Sequence, residues 1–598
     1  MCGVSAVLSL SSDHVDPSVI RRLHAPIHSR GPDGEGFFRD ELVCLSHRRL
    51  AIIDTSDRSS QPFFWQERYV LVFNGEIYNY RELRQELCLL GHSFRTESDT
   101  EVLIAAYVEW GELCQDKFNG MWSFVIWDKE LESLFCSRDR YGIKPLYWAY
   151  LDHQICFASE PKQLTSLGIG GFPNIDELSR YLYAGIVGYT SDTFFDGINC
   201  LPPGHSMKID RFKSPLIEKW YHLPSGPSSY SSFRANFKDS IDLRLRSDVP
   251  VGSCLSGGLD SSAVVMQASS LLVSSVSEPL HCIHARSSDV EVDEFSYAQI
   301  VSEESSSLLT HIVPTVDQFW DSLREICYLQ DEPFGSPSIC MQYFVMKHAR
   351  LLGLPVMLDG QGADEVLLGY SKYLVLALGK AWRDQGLLGV IRAILASCSS
   401  NSSLTPYSSL QYLLATMLSP LRSYRVQRRL SFVDLPIEPV RSLYQSVSRL
   451  AFDCKGTQLL ELFRTSLPAL LRYEDRNSMA HSVEARLPFL DFRLVESFVN
   501  APVDQKIYHG WSKYPLRTSG ILPSSIAWRK SKLGFNAPER SWLGSKSSQM
   551  LAICLDSSFI ASILNRRYLE KSWYQLDRRE QWRIFNVALW SDIYHMSI

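Results

Sequence analysis

A chain of 598 residues, set against domains of roughly 100–200 residues, holds about two to four domains and can bury a sizeable core. Apolar residues make up 45% and charged residues 21%, which excludes a collagenous, disordered or coiled-coil chain. The net charge of −6 is too small and of the wrong sign for binding by counterion release, so no nucleic-acid partner is expected.

Residues 1–210 are dense in short apolar runs broken by Gly, Pro, Asn and Asp, among them CGVSAVL, YVLVFNG, WSFVIWD and ICFAS. That rhythm predicts a β-rich domain with a few helices. One helix should open at Asn79 and carry Leu83, Leu87 and Leu90 to a stop at Gly91. A second should open at Ser98, with Glu101 completing a capping box, and stop at Gly111. Pro and Ser then replace periodic apolar residues, and 211–232 is expected to be a linker to a second domain, 233–598.

In the second domain strands alternate with helices. VPVGSCL runs into Ser256-Gly257-Gly258 and an apolar helical stretch, and LPVMLDG repeats the strand-to-glycine turn. Such alternation predicts a parallel, doubly wound sheet with its ligand at the strands' carboxyl ends. From about 372 to 470 the pattern is helical, with an exposed loop expected at the Ser-rich stretch 397–409.

The fourteen cysteines form no CxxC pair and read as reduced thiols. No apolar run reaches the roughly 18 residues of a membrane helix, and MCGVSAVLSLSSDH lacks the basic region and cleavage site of a secretory signal. A cytoplasmic protein with no membrane partner is expected. His281 and His284 sit three apart in a predicted strand, on opposite faces, and are read as structural.

Two constellations carry chemistry. Cys2 directly follows the initiator Met, and trimming of the Met would leave a terminal cysteine. A terminal α-amine has a pKa near 7.7–8.0, so its neutral fraction can act as general base for its own thiol. Farther on, Ser256-Gly257-Gly258-Leu259-Asp260-Ser261-Ser262 leaves a strand and opens a helix. Its glycines let backbone N–H groups approach phosphate, and the helix start adds partial positive charge.

Arg30-Gly31-Pro32-Asp33-Gly34, His47-Arg48-Arg49-Leu50, Asn74-Gly75-Glu76, Glu97-Ser98-Asp99 and Arg138-Asp139-Arg140-Tyr141-Gly142 through Tyr147 resemble, in order, the glutaminase domain of class II glutamine amidotransferases. The resemblance implies Cys2 as nucleophile, with the Asn74 amide and the Gly75 N–H as oxyanion hole. It also implies a glutamine site of Arg49, Asn74, Gly75, Glu76 and Asp99, in which Arg49 clamps the carboxylate and Asp99 accepts the ammonium. Two plain alternatives stand beside it: Asn74-Gly75 is a common hairpin turn, and Asp99 suits the first turn of any helix.

The serine-glycine loop resembles that of ATP pyrophosphatases. This implies ATP contacts from Leu255, Ser256, Gly257, Gly258, Asp260, Ser261, Asp359, Gly360, Gln361 and Lys513, with Asp260 and Asp364 holding Mg²⁺. With Leu201-Pro202-Pro203-Gly204-His205, the segment Glu474 to Phe489, Trp528-Arg529-Lys530 and Gly534-Phe535, the chain is similar to the glutamine-hydrolysing asparagine synthetases outside 380–460. The implied fold is an N-terminal-nucleophile sandwich of antiparallel sheets flanked by helices, followed by a doubly wound parallel-sheet ATP-pyrophosphatase domain with extra helices. Glutamine, aspartate and ATP are the implied substrates, and a homodimer is compatible. Gln361 departs from members that carry Glu there, which keeps open a different acceptor carboxylate.

Overall fold

The computed structural model describes residues 2–11, 14–210, 213–226, 233–273, 278–289, 293–402, 404–530 and 537–597. Gly534, Phe535 and the linker positions 211–212 and 227–232 lie outside the described residues.

The first domain contributes strands β1 (Gly3–Ser9), β2 (Gly34–Arg39), β3 (Val43–Arg49), β4 (Phe63–Trp65), β5 (Tyr69–Ile77) and β6 (Gly120–Asp128). They are followed by β7 (Ser133–Arg138), β8 (Tyr147–Leu151), β9 (Gln154–Ala158), β10 (Asn199–Cys200), β11 (His205–Asp210) and β12 (Leu216–Lys219). Two six-stranded sheets result, ordered β10-β8-β9-β1-β3-β2 and β12-β11-β7-β6-β5-β4, antiparallel throughout.

Alternation along the strands explains why the sheets stack. Val4, Ala6 and Leu8 of β1 meet Val70 and Val72 of β5 and Val125 and Trp127 of β6 in one core between the sheets. The opposite face of β5 turns Leu71 and Phe73 toward Val102, Leu103 and Ala106 of the helix Asp99–Trp110. A helical layer therefore covers that sheet, and the expected sandwich is present.

The second domain holds β13 (Val251–Cys254), β14 (His281–Ala285), β15 (Leu308–Ile312), β16 (Val356–Leu358) and β17 (Glu484–Arg486). They pair in parallel in the order β15-β14-β13-β16-β17. The chain winds outward from β13 in one direction and then, through β16, in the other. The switch point thus falls between β13 and β16, where the loops that follow leave a crevice at the strands' carboxyl ends.

Four readings of the sequence change. Residues 216–219 of the expected linker form β12, which extends the second sheet beside β11. All four are exposed, so this edge strand has no apolar alternation to betray it. The Ser-rich stretch is mostly helix: Leu374–Ser400 runs through it, and Pro406–Met417 starts after a capping box between Thr405 and Ser408. Ser397 and Ser400 are buried, and the Ser400 hydroxyl donates to His509 O at 3.0 Å. Ser98 caps its helix by accepting from Thr100 N–H at 2.9 Å, but Glu101 reaches back to Arg95 N–H and Thr96 N–H, so no capping box forms there. Asn74-Gly75 is no hairpin turn, since it lies within β5 and pairs with Ser123 and Trp122 of β6.

His281 and His284 engage different partners: the His281 ring lies 3.3 Å from Thr310 Oγ1, and His284 Nδ1 lies 2.7 Å from Leu255 O. Among the described residues, no helix is long and apolar enough to cross a membrane.

Candidate active sites

The first site forms where β1 meets β5. Cys2 leads into β1 and is 8% exposed; Asn74, in mid-strand, is 0% exposed. Asn74 Oδ1 accepts the Cys2 N–H at 3.0 Å, so the amide is held with its other end turned away. That end, Nδ2, is buried with no partner. A buried amide N–H₂ without an acceptor is costly unless something arrives to take it, and an oxyanion formed at Cys2 would be such an acceptor.

Gly75 cannot carry a side chain. A Cβ there would lie 2.1 Å from Met121 O and 2.7 Å from Trp122 Cα, at φ +155°. The close approach of β5 to β6 thus fixes glycine beside the amide. Burial raises the Cys2 thiol pKa, with Arg49 among the groups opposing the rise.

Asp99 is the first residue of its helix and is 5% exposed. Its Oδ2 accepts the Ile77 N–H at 2.9 Å. Burial, reinforced by Glu484 and opposed by that hydrogen bond, pushes Asp99 up to about 7. Glu76 shares a strand face with Asn74 by the period of two. Its carboxyl is raised well above the usual range by burial and then by Glu484 and Asp99. An incoming α-ammonium would relieve this crowding of buried acids.

Arg49 is brought to the site in a form that differs from a free clamp. Nη1 donates to Ser56 O at 2.8 Å and Nη2 to Asp54 O at 2.5 Å, so the guanidinium already gathers the loop after β3. Holding a carboxylate bidentately would require those bonds to be shared or released.

Several neighbours were invisible in the local sequence. Glu484 and Arg486 come from β17, in the other domain, and are joined by a 2.6 Å ion pair. Arg486 Nη2 stands 3.7 Å from Glu76 Oε1. Burial alone would raise Glu484, yet Arg486 and Lys144 hold it below the usual carboxylate range. Arg30, 0% exposed, donates through Nε to Cys2 O at 3.0 Å and binds Asp475 at 2.8 Å and Glu160 at 2.6 Å. Burial works against the Asp475 carboxylate, but Arg30 and Arg476 overcome it and lower its pKa. The backbone of the nucleophile is thereby tied to a helix of the second domain, Leu467–Ala480.

The second site is a cavity of about 770 Å³ at the sheet's switch point. Leu255, Ser256, Gly258, Asp260 and Ser261 line it from the loop after β13, and Asp359, Gly360, Gln361 and Asp364 from the loop after β16. The two loops touch: a Cβ on Gly360 would lie 2.9 Å from both Asp260 Cβ and Ser261 N. Ser256 and Ser261 hydroxyls lie 2.9 Å apart, and Ser261 Oγ accepts the Ser256 N–H at 3.1 Å.

Lys513, 2% exposed, places Nζ 2.5 Å from Asp260 Oδ2 and 2.7 Å from Asp364 Oδ1. Two carboxylates from the first turns of different helices therefore converge on one cationic atom. Gly369 makes room for this contact, because a Cβ there would stand 1.8 Å from Asp364 Oδ1 and 2.1 Å from Lys513 Cε. Burial raises Asp359 to about 6, against several hydrogen bonds.

Gly257, expected as an ATP contact, also meets a packing demand: a Cβ there would stand 2.9 Å from Glu294 O and Ala298 N, at φ +83°, where the loop packs against the helix Phe295–Ser305. Arg517 and Arg529, which the sequence reading left without a role, line the cavity. Arg529 is held by Glu294 and by Gly257 O.

Residues 1–221 match the glutamine amidotransferase domain family, and residues 232–592 match the asparagine synthase family. The chain belongs to the asparagine synthase family. Asparagine synthetase [glutamine-hydrolyzing] 1 of Bacillus subtilis (strain 168) is 30% identical over 607 residues, covering 95% of this chain and 92% of that protein. Asparagine synthetase [glutamine-hydrolyzing] 3 of the same organism is 28% identical over 89% of this chain and 86% of its own length. The Zea mays asparagine synthetase [glutamine-hydrolyzing] is 32% identical over 62% of this chain and 60% of its own length. A solved glutamine phosphoribosylpyrophosphate amidotransferase from B. subtilis covers 52% of this chain and 81% of its own, with 14% identity and a TM-score of 0.29, too slight a likeness to carry an argument. In this chain a region matching the glutamine amidotransferase domain and a region matching asparagine synthase follow one another.

Proposed function

We propose that this protein makes asparagine from aspartate, ATP and glutamine, releasing glutamate, AMP and pyrophosphate. The observation that carries the reading is the buried Asn74 Nδ2 without a partner beside Cys2, in a chain whose second domain opens a loop-lined cavity onto Lys513. Each half supplies what the other lacks: one releases nitrogen, the other activates a carboxylate.

In the first half, removal of Met1 would leave the Cys2 nitrogen as an α-amine that takes the thiol proton. The thiolate attacks the glutamine carboxamide, and Asn74 Nδ2 and Gly75 N–H stabilise the oxyanion. Asp99, with Glu76 on the same side, receives the α-ammonium, and Arg49 faces the α-carboxylate.

In the second half, ATP phosphates would occupy the space between the loops after β13 and β16, with Lys513 neutralising their charge. Asp260 and Asp364 fit a hard cation, since both carboxylates already converge on a positive centre. Mg²⁺ takes one or two carboxylates and completes its shell with phosphate and water, so these two carboxylates are enough to hold it. Bound there, Mg²⁺ would offset phosphate charge during adenylation. Gln361 cannot serve as a base; its amide orients the reacting groups.

Ammonia in bulk water at pH 7 is mostly protonated, so passage inside the protein favours the reaction. A shared core supports it: Tyr78, Met121, Tyr141 and Ile143 of the first domain belong to the same apolar cluster as Leu255, Leu358 and Leu487 of the second. Glutamine and ATP sites so joined fit a cytoplasmic enzyme working on metabolites. The test supplies purified protein with Mg-ATP, glutamine and a panel of carboxylates. Aspartate should yield AMP and amide in equal amounts; a different carboxylate doing so in its place would reassign the acceptor.

A further inference from the structure

Between the domains lies another cavity, of about 380 Å³. Cys2, Asn74, Asp260 and Lys513 are all absent from its walls, so it is neither of the sites described above. Its size falls in the range of small-molecule pockets, about 300–1,000 Å³.

Acidic groups line it. Glu177, 0% exposed, accepts through Oε1 from Arg180 Nη1 at 2.5 Å and from Thr190 Oγ1 at 2.8 Å. Its Oε2 is buried with no partner. Burial, with Glu332 and Asp192 adding to it against Arg180 and Thr190, pushes Glu177 up to about 7. A buried carboxylate oxygen with nothing to accept from is unfavourable, and although Arg180 serves Oε1, Oε2 has no donor of its own.

Basic groups line it as well. Arg138 directs its donors to neutral atoms: Nε to Lys144 O at 2.7 Å, Nη1 to Leu201 O at 2.6 Å and Nη2 to Gly142 O at 2.8 Å. Arg464 is exposed and stands over the Tyr189 ring at 5.6 Å. Arg472 pairs with Glu332, but its Nε is buried without a partner.

We propose that this junction cavity binds a small zwitterion, an α-amino acid, with its ammonium at Glu177 and its carboxylate toward Arg138, Arg464 and Arg472. Such a ligand brings a donor for Glu177 Oε2 and an acceptor for the arginines, which neither a simple amine nor a simple carboxylate can do. The position gives it consequence. Asp475 also lines this cavity and holds Arg30, which holds Cys2 O. The adjacent Glu474 bonds Gln342 and bears electrostatically on Asp359 in the ATP cavity. An occupant therefore rests on the helix that touches both halves, and acts as an effector of their balance.

Isothermal titration of the full chain tests this, with asparagine, aspartate, glutamine and glycine as probes and propylamine and propionate as single-charge controls. At least one amino acid should show a binding event that neither control reproduces. Glu177→Gln and Arg464→Ala should each weaken that event by about tenfold or more, the loss expected for a charge-assisted contact. Arg464 is exposed, so its variant keeps the fold, and ammonia-dependent synthesis should persist in both. Unchanged affinity in the two variants, equal binding by a control, or no amino-acid event outside the catalytic sites would overturn the proposal. Heat is read directly, so the result stands whether or not aspartate is the acceptor.

Discussion

In the glutaminase half, the side chains of Cys2, Arg49, Asn74, Glu76 and Asp99 are at most 8% exposed, and strands or a helix's first turn carry most of them. The synthetase half gathers Ser256 and Gln361 from loops and Asp260 and Asp364 from the first turns of two helices around an open cavity of about 770 Å³. The contrast follows from the chemistry each supports. Stabilising an oxyanion requires donors fixed before the reaction begins, and Asn74 is fixed by its own strand and by Cys2. Binding ATP brings four or so negative charges into the site, so its groups need space and an internal counter-charge. Lys513 supplies that charge between two aspartates.

If the halves are chemically separate, they can be broken separately. The largest expected effect is a matched pair of variants. Cys2→Ala should abolish glutamine-dependent amidation and leave the ammonia-dependent reaction near normal, whereas Asp260→Asn should reduce AMP formation by orders of magnitude and spare glutaminase activity. Assay of both activities in both variants decides it; equal loss of the two in either variant means that the sites are not separate.

A smaller effect sharpens the claim of a prebuilt oxyanion hole. Asn74→Ala should lower the glutaminase kcat by about 10²–10³-fold with a modest change in KM, as expected for loss of one donor used in the transition state. A rise in KM at constant kcat would make Asn74 a binding residue only.

The smallest effect concerns pH. Asp99 titrates near 7 in the folded protein, and receiving an ammonium requires the carboxylate, so kcat/KM for glutamine should fall as pH drops below 7. Asp99→Asn should flatten that limb while lowering the plateau. Stability runs the other way. A carboxyl raised above its unfolded value of about 3.9 favours the folded state below that pH, and this contribution is lost as pH rises through about 7. Thermal denaturation from pH 4 to 8 should therefore show Asp99→Asn gaining relative stability toward the alkaline end.

What could be read from the chain and what could not divides along sequence distance. Cys2, Asn74-Gly75 and the loop from Ser256 to Ser262 could be singled out as candidates because the short motifs around them, in order, resemble those of glutamine amidotransferases and ATP pyrophosphatases. The parallel order of β13 to β16 was legible from the alternation of apolar strands with helices. Glu484 beside Asp99 was not, since 385 positions separate them (484 − 99) and only the docking of β17 brings them together. The Arg30–Asp475 pair, 445 residues apart, likewise has no local signature. The packing demand on Gly257 was not legible, because a glycine that admits phosphate and a glycine that admits a neighbouring helix look the same in sequence. Glu177 gave no signal, as Asn174 and the helix Ile175–Ser179 account for its place without a ligand.

The two sites are proposed to act as one enzyme, with nitrogen passing between them inside the protein. The direct measurement supplies amide-¹⁵N glutamine, aspartate and Mg-ATP in a large excess of unlabelled ammonium, and follows label in asparagine together with AMP. The account predicts asparagine enriched in ¹⁵N far above the solution pool, with one AMP for each amide formed. Asparagine carrying only the pool's isotope ratio, or AMP released without amide, would contradict it.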